Sequence, residues 1–130
     1  ILLRAAADSP SELVEAAADG LCAFLAERPP DAAAPEHRFS CEAPDLRSLV
    51  IAVLNELIAV SSAGMVAGCC SAAVRRTPDG YAADVTCHTE EYRRCKHGDV
   101  REIKAATYHT VNTHTAKPDA AYVVDILLDL

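Results

Sequence analysis

Apolar residues recur along this chain with two different periods, and the switches between those periods mark out its elements. Ile1 to Ala7 reads as a strand. Ser9-Pro10-Ser11-Glu12 then announces a helix, with Ser as the cap, Pro at the first helical position and Glu three residues after the cap. Leu13, Ala17, Leu21, Phe24 and Leu25 follow at helical spacing, so the helix is expected to run to about Glu27. The proline-rich stretch from Arg28 to Pro35 cannot continue it and reads as a loop, with a short strand from His37 to Cys41 beyond. Asp45 caps a second helix to about Val60, in which Leu46, Leu49, Val50, Val53, Leu54, Leu57 and Ile58 form the wide apolar face of a central core helix.

Met65 to Arg76 and Tyr81 to His88 form a predicted hairpin around Thr77-Pro78-Asp79-Gly80, where Pro sets the turn and Gly takes the positive φ. Thr89 to Gly98 reads as a charged loop. A long strand from about Val100 to Thr115 is expected next, then a turn at Lys117-Pro118-Asp119 and a last strand from Ala121 to Leu130. The predicted order is βαβαββββ. Two helices on a mostly antiparallel sheet make a single α+β domain over residues 1–130.

Charge and composition narrow the function. The net charge is −7, from 12 basic and 19 acidic side chains. Nucleic-acid affinity is driven by clustered Lys and Arg. The only basic clusters are Arg75-Arg76 and Arg93-Arg94 with Lys96, each beside acids or turns, so direct nucleic-acid binding is not expected. No apolar run approaches the ~20 residues that span a bilayer, and no signal-peptide pattern opens the chain. It starts on Ile1 without a methionine, so further upstream residues are expected. The six cysteines accompany two good helices and Val/Ile-rich strands that need no staples, and they read as reduced, mostly buried thiols of a cytoplasmic protein.

Candidate chemistry gathers near the end of the chain. Alternation puts Tyr122, Val124, Ile126, Leu128 and Leu130 on a core face, and Asp125 and Asp129 on the other. The two acids lie roughly 13 Å apart along a strand, so they cannot chelate one ion together. Periodicity alone makes both of them solvated carboxylates on an edge strand. In the preceding strand Lys104, Ala106, Tyr108 and Asn112 share one face, and His109 joins Ile103 and Val111 on the other as a half-buried histidine. Cys87-His88 and Cys95-x-His97 supply zinc donors at a spacing that does not converge, since adjacent Cys87 and His88 point to opposite faces of a strand; zinc is therefore not expected. No Gly-x-Ser-x-Gly elbow or Gly-rich phosphate loop is present, and nothing marks the chain as an enzyme.

Four segments, in order, resemble the archease family of small α+β proteins that assist RtcB-type RNA ligases. They are Ser9-Pro10-Ser11-Glu12-Leu13, Leu54-Asn55-Glu56-Leu57, Arg101 to His109, and Tyr122 through Asp129-Leu130. The third, Glu102-Ile103-Lys104-Ala105-Ala106-Thr107-Tyr108-His109, is the most specific. Departures are Val53 where an aromatic is usual, a poor match from Ser61 to Ala67, and the cysteine content. The resemblance implies a non-catalytic accessory factor that promotes GTP-dependent guanylylation of the ligase and its turnover in tRNA splicing or RNA repair. It also implies a divalent cation, calcium or magnesium, at Asp129, with Asp125 as an extra acid and Lys104, Tyr108 and His109 facing the partner. The family's second metal-site acid, in an N-terminal His-x-Ala-Asp segment, has no counterpart after Ile1. The alternative is a chaperone-like interaction module without a ligase, in one variant binding zinc through Cys87, Cys95 and His97.

Overall fold

The structure is a computed structural model that describes residues 1–108 and 121–130. Its elements are β1 (Leu2–Ala7), α1 (Pro10–Leu25), β2 (Glu36–Ala43), α2 (Leu46–Ser62), β3 (Met65–Thr77), β4 (Gly80–Glu91), the short α3 (Arg94–His97), β5 (Ala105–Tyr108) and β6 (Tyr122–Asp129). His109, Asn112 and the turn expected at Lys117-Pro118-Asp119 lie outside the described residues.

Both long helices start where the sequence caps them. The Ser9 hydroxyl accepts from the Glu12 N–H at 3.2 Å, and the Asp45 carboxylate accepts from the Ser48 N–H at 2.8 Å. Each satisfies an amide that the first helical turn leaves without an internal partner. The apolar stripes go to the core: Leu13, Val14, Ala17, Ala18 and Leu21 of α1, and Leu49, Val50, Val53, Leu54 and Leu57 of α2, are essentially inaccessible to solvent.

The fold is α+β, as the periodicity implies, but the strands form two antiparallel three-stranded sheets, ordered β1-β6-β5 and β2-β4-β3. Helix α1 packs on β1 of one sheet and β3 of the other, and α2 packs on both sheets and on α1. A single apolar cluster joins them, to which β4 contributes Val85 and Cys87 and β6 contributes Val124, Ile126 and Leu128.

A polar seam holds α1 to the edge of β3. Ser11 Oγ accepts from Val74 N at 2.9 Å, Glu15 Oε1 from Ala72 N at 2.9 Å, and Asp19 Oδ1 from Cys70 N at 3.3 Å. The geometry matches because four helical residues rise about 6 Å and two strand residues about 6.6 Å, so both elements step together. Edge amides that would otherwise recruit another strand are thereby covered. Burial pushes the Asp19 carboxyl above its ordinary range, against the Cys70 N–H that favours its charged form.

Several expectations are corrected. The charged loop from Thr89 is instead the end of β4, whose ladder with β3 continues to the Met65–Glu91 pair, and residues 94–97 form the helical turn α3. The long strand from Val100 is cut short, since residues 101–104 are irregular and β5 begins at Ala105. The reason is a competing demand from α1. The Arg101 N–H donates to Leu25 O at 2.8 Å, and its guanidinium donates to Phe24 O at 3.4 Å while lying over the Phe24 ring. The orphan carbonyls of the helix end take the backbone that a ladder would have used.

The terminal strand is not at an edge. β6 sits between β1 and β5, and Asp125, expected in solvent, is 9% exposed. Tyr122 and Leu130, assigned to the core by alternation, are 37% and 60% exposed because they lie at the strand's two ends. The thiols are less buried than expected: all six are unpaired with one another, but Cys69 and Cys95 are exposed.

Candidate functional site

Lys104 and Ala105 meet the chain's last acid at one corner. Ala105 stands opposite Asp129 in the β5–β6 ladder, and the Lys104 N–H donates to the Asp129 carbonyl at 2.7 Å. Both side chains are exposed. The corner thus carries one exposed cationic side chain and one exposed carboxylate on residues linked through their backbones.

Its support comes from α2. The Asn55 amide donates to Ala106 O at 3.1 Å and accepts from Ala106 N at 2.8 Å, so one side chain takes the place of a neighbouring strand along β5. Tyr108, half exposed, bonds through its hydroxyl to the Ser48 hydroxyl in the first turn of the same helix. Asn55 and Ala106 both belong to segments singled out above, and their direct pairing is what places the segments relative to one another.

Asp125 is elsewhere and otherwise engaged. Arg4, its partner in the β1–β6 register, donates Nε to Oδ1 at 2.7 Å and an Nη to Oδ2 at 3.0 Å. This two-pronged ion pair raises the Arg4 guanidinium further above its usual range. Among the described residues no group of three or more His, Cys, Asp or Glu side chains converges as metal ligands. Asp129 by itself offers one carboxylate, so further donors would have to come from outside the described residues.

The side chains of the zinc alternative are dispersed. Cys87 lies in the core, Cys95 is exposed on α3, and His97 is fully buried with both ring nitrogens engaged. Nδ1 accepts from the Arg93 N–H at 3.0 Å and Nε2 donates to Glu90 Oε1 at 2.8 Å. The donor at Nδ1 fixes the tautomer with its proton on Nε2.

Sequence reading missed this cluster. Glu90 also accepts from Lys96 Nζ at 2.9 Å and from the Asp31 N–H at 3.0 Å, and Lys96 reaches Asp31 at 2.7 Å. The bonds from His97 and then Lys96 hold the Glu90 carboxyl down at about 2. No motif spacing announces it, because Asp31 arrives from a loop far away in sequence. It pins the 28–35 loop to α3.

Beside the Lys104–Asp129 corner lies an open cleft of about 490 Å³ lined by Ile1, Phe24, Arg101, Glu102 and Leu130. Its lining combines apolar Ile1, Phe24 and Leu130 with charged Arg101 and Glu102.

Comparison with known proteins agrees with this architecture. A search of the curated proteins returned no match. Among solved structures, protein 1598 of Methanobacterium thermoautotrophicum is similar, with a TM-score of 0.77 and 23% identity, covering 99% of this chain and 91% of that one. An archease from Thermotoga maritima, described as a possible chaperone, gives a TM-score of 0.60 and 20% identity over 100% of this chain and 90% of its own. At these identities the likeness shows the fold. The Archease protein family model matches residues 1–130, all of the chain. The chain belongs to the archease family.

Proposed function

We propose that this protein is a non-catalytic accessory factor of an RtcB-type RNA ligase, promoting the ligase's guanylylation by GTP and its turnover in tRNA splicing or RNA repair. The observation that carries the reading is the corner where the Lys104 N–H meets the Asp129 carbonyl while the side chains of both residues stay exposed. An accessory factor needs groups that face a partner and are not consumed internally. Asp125 is consumed, by Arg4, and serves the sheet.

In this reading Lys104 orients a phosphate or acidic group at the ligase's nucleotide site, and Asp129 contributes one ligand to a divalent cation, calcium or magnesium. The remaining donors come from outside the described residues. A bound cation would supply charge neutralisation at the nucleotide. The net charge of −7 suits a basic enzyme surface and disfavours a direct grip on RNA.

The test is multiple-turnover ligation by a cognate ligase with wild type, Asp129→Ala and Lys104→Ala. Each substitution is expected to cut the stimulation by about tenfold or more, which corresponds to ~1.4 kcal/mol. Wild-type stimulation by both variants would overturn the reading. Calcium or magnesium binding that weakens in Asp129→Ala gives a readout independent of ligation.

A broader chaperone-like role has one observation in its favour, the open apolar cleft between Phe24 and Leu130. Phe24→Ala that abolishes protection of an unfolded client, with Asp129→Ala and Lys104→Ala silent toward the ligase, would select that role instead.

A further inference from the structure

Two of the sheet edges are closed from a helix, β3 by Ser11, Glu15 and Asp19 of α1, and β5 by Asn55 of α2. β2 is an edge as well, bordered by β4 on one side, and among the described residues nothing hydrogen-bonds its outer backbone.

The register decides which groups point outward there. The N–H groups of Ala72 and Val74 go to α1, so the β3 residues that exchange bonds with β4 are Ser71, Ala73 and Arg75. Their partners Thr86, Asp84 and Ala82 turn their backbone groups toward β3. Val85 and Ala83 therefore turn theirs toward β2, where Phe39 and Cys41 meet them. Arg38, Ser40 and Glu42 are left with N–H and C=O directed away from the sheet.

The same three residues carry a charge pattern. All are exposed, with a cation and an anion placed evenly about Ser40. Arg38 donates to Glu36 at 3.0 Å in a solvent-exposed pair, while Glu42 has no hydrogen bond or ion pair among the described residues. An exposed pair of this kind is held weakly, so Arg38 can turn to another carboxylate.

Two β2 strands meeting antiparallel must set outward groups against outward groups. Pivoting on Ser40 does this and places Arg38 of each copy opposite Glu42 of the other, with Pro44 at the end of the ladder. Pivoting on Phe39 would set Glu36 against Glu42, and pivoting on Arg38 would set that arginine against itself. Pivoting on Cys41 would spend Arg38 on Pro44, which has no N–H to give.

We propose that β2 is the joining strand of a two-fold symmetric dimer of this chain, in which Ser40 pairs with itself and Arg38 pairs with Glu42 across the axis. The two β2-β4-β3 sheets then run on as one. Backbone bonds hold the copies together, and the charges fix the register, since like charges directly across a ladder are destabilising. The same strand serves both copies, so the contact closes at two and does not propagate. The Lys104–Asp129 corner adjoins the other sheet, and the proposal is independent of the ligase reading.

The experiment is sedimentation equilibrium of the full chain at ~0.15 M salt, where a Debye length of about 8 Å screens the repulsion between copies of net charge −7. Wild type is expected to show a monomer–dimer equilibrium. Arg38→Glu and Glu42→Arg each put like charges across the axis, and each is expected to weaken the dimer about tenfold or more. An equimolar mixture of the two variants restores both opposite pairs and is expected to form a heterodimer as tight as the wild-type dimer. That rescue also shows that both variants fold. In wild type the Ser40 and Glu42 amides are expected to exchange fast in dilute solution and to become protected as the dimer fills. A wild type that stays monomeric up to millimolar concentration overturns the proposal. So does a dimer that both variants leave unchanged, or a mixture no tighter than its components. Slow exchange at Ser40 and Glu42 in the monomer would show the edge covered by the chain itself, and overturns it as well.

Discussion

Asp125 shows how a strand residue changes meaning once its neighbours are known. Alternation puts it on the face opposite Ile126 and Leu128, and in an edge strand that face would be wet. In the middle of a sheet, with Arg4 directly across from it, the same carboxylate is buried and bonded through both oxygens. Glu90 carries a comparable lesson and a prediction. Its carboxyl is held down at about 2 by His97 and Lys96, below the ordinary glutamate value of 4.5. A depressed carboxyl stabilises the fold above the unfolded-state value, and that contribution fades as the pH falls from there toward the folded value. Wild type should therefore lose stability between about pH 4.5 and 2, whereas Glu90→Gln should start less stable at pH 7 and show a flatter decline across that window. Thermal melts at stepped pH check this. Equal slopes for the two proteins would show that Glu90 is not the responsible group.

At the scale of elements, β5 is the shortest strand among the described residues, with four of them and a ladder to β6 alone. Its other edge is closed by the Asn55 amide, which bonds the Ala106 N–H and C=O together. Removing that amide leaves two backbone groups without their partner. Asn55→Ala is expected to destabilise the fold by about 2–3 kcal/mol, given the cost of unsatisfied buried polar groups. It should also speed amide exchange at Ala106, while the β3–β4 hairpin stays protected. Uniform loss of protection everywhere would place Asn55 in the global core. The hairpin itself was legible because Pro78 and Gly80 write its turn into the sequence. The broken strand at 101–104 was not, since its cause is the carbonyl end of α1, far away in the chain.

For the whole molecule, the surplus of acid is the property that any partner meets first. Coulombic attraction to a basic surface on the ligase proposed as its partner would be screened by salt, with a Debye length of about 10 Å at 0.1 M. Affinity for the proposed ligase partner is expected to fall by about an order of magnitude between low and physiological ionic strength, mostly through a slower association rate. Surface binding kinetics at several salt concentrations measure this. An affinity indifferent to salt would assign docking to the apolar cleft at Phe24 and Leu130 instead.

Periodicity and capping by themselves determined the two long helices, the hairpin, the terminal strand and the α+β class, because these depend on residues a few positions apart. Segment resemblance pointed to the family, which the match over residues 1–130 then showed. Tertiary structure alone decided that β6 is central, that Arg4 takes Asp125, that His97 and Glu90 lock a distant loop, and that a bulge sets Cys69 and Cys70 together opposite Cys87. Each of these joins groups brought together by packing. A local pattern records which face a side chain takes, but not which neighbour will cover it.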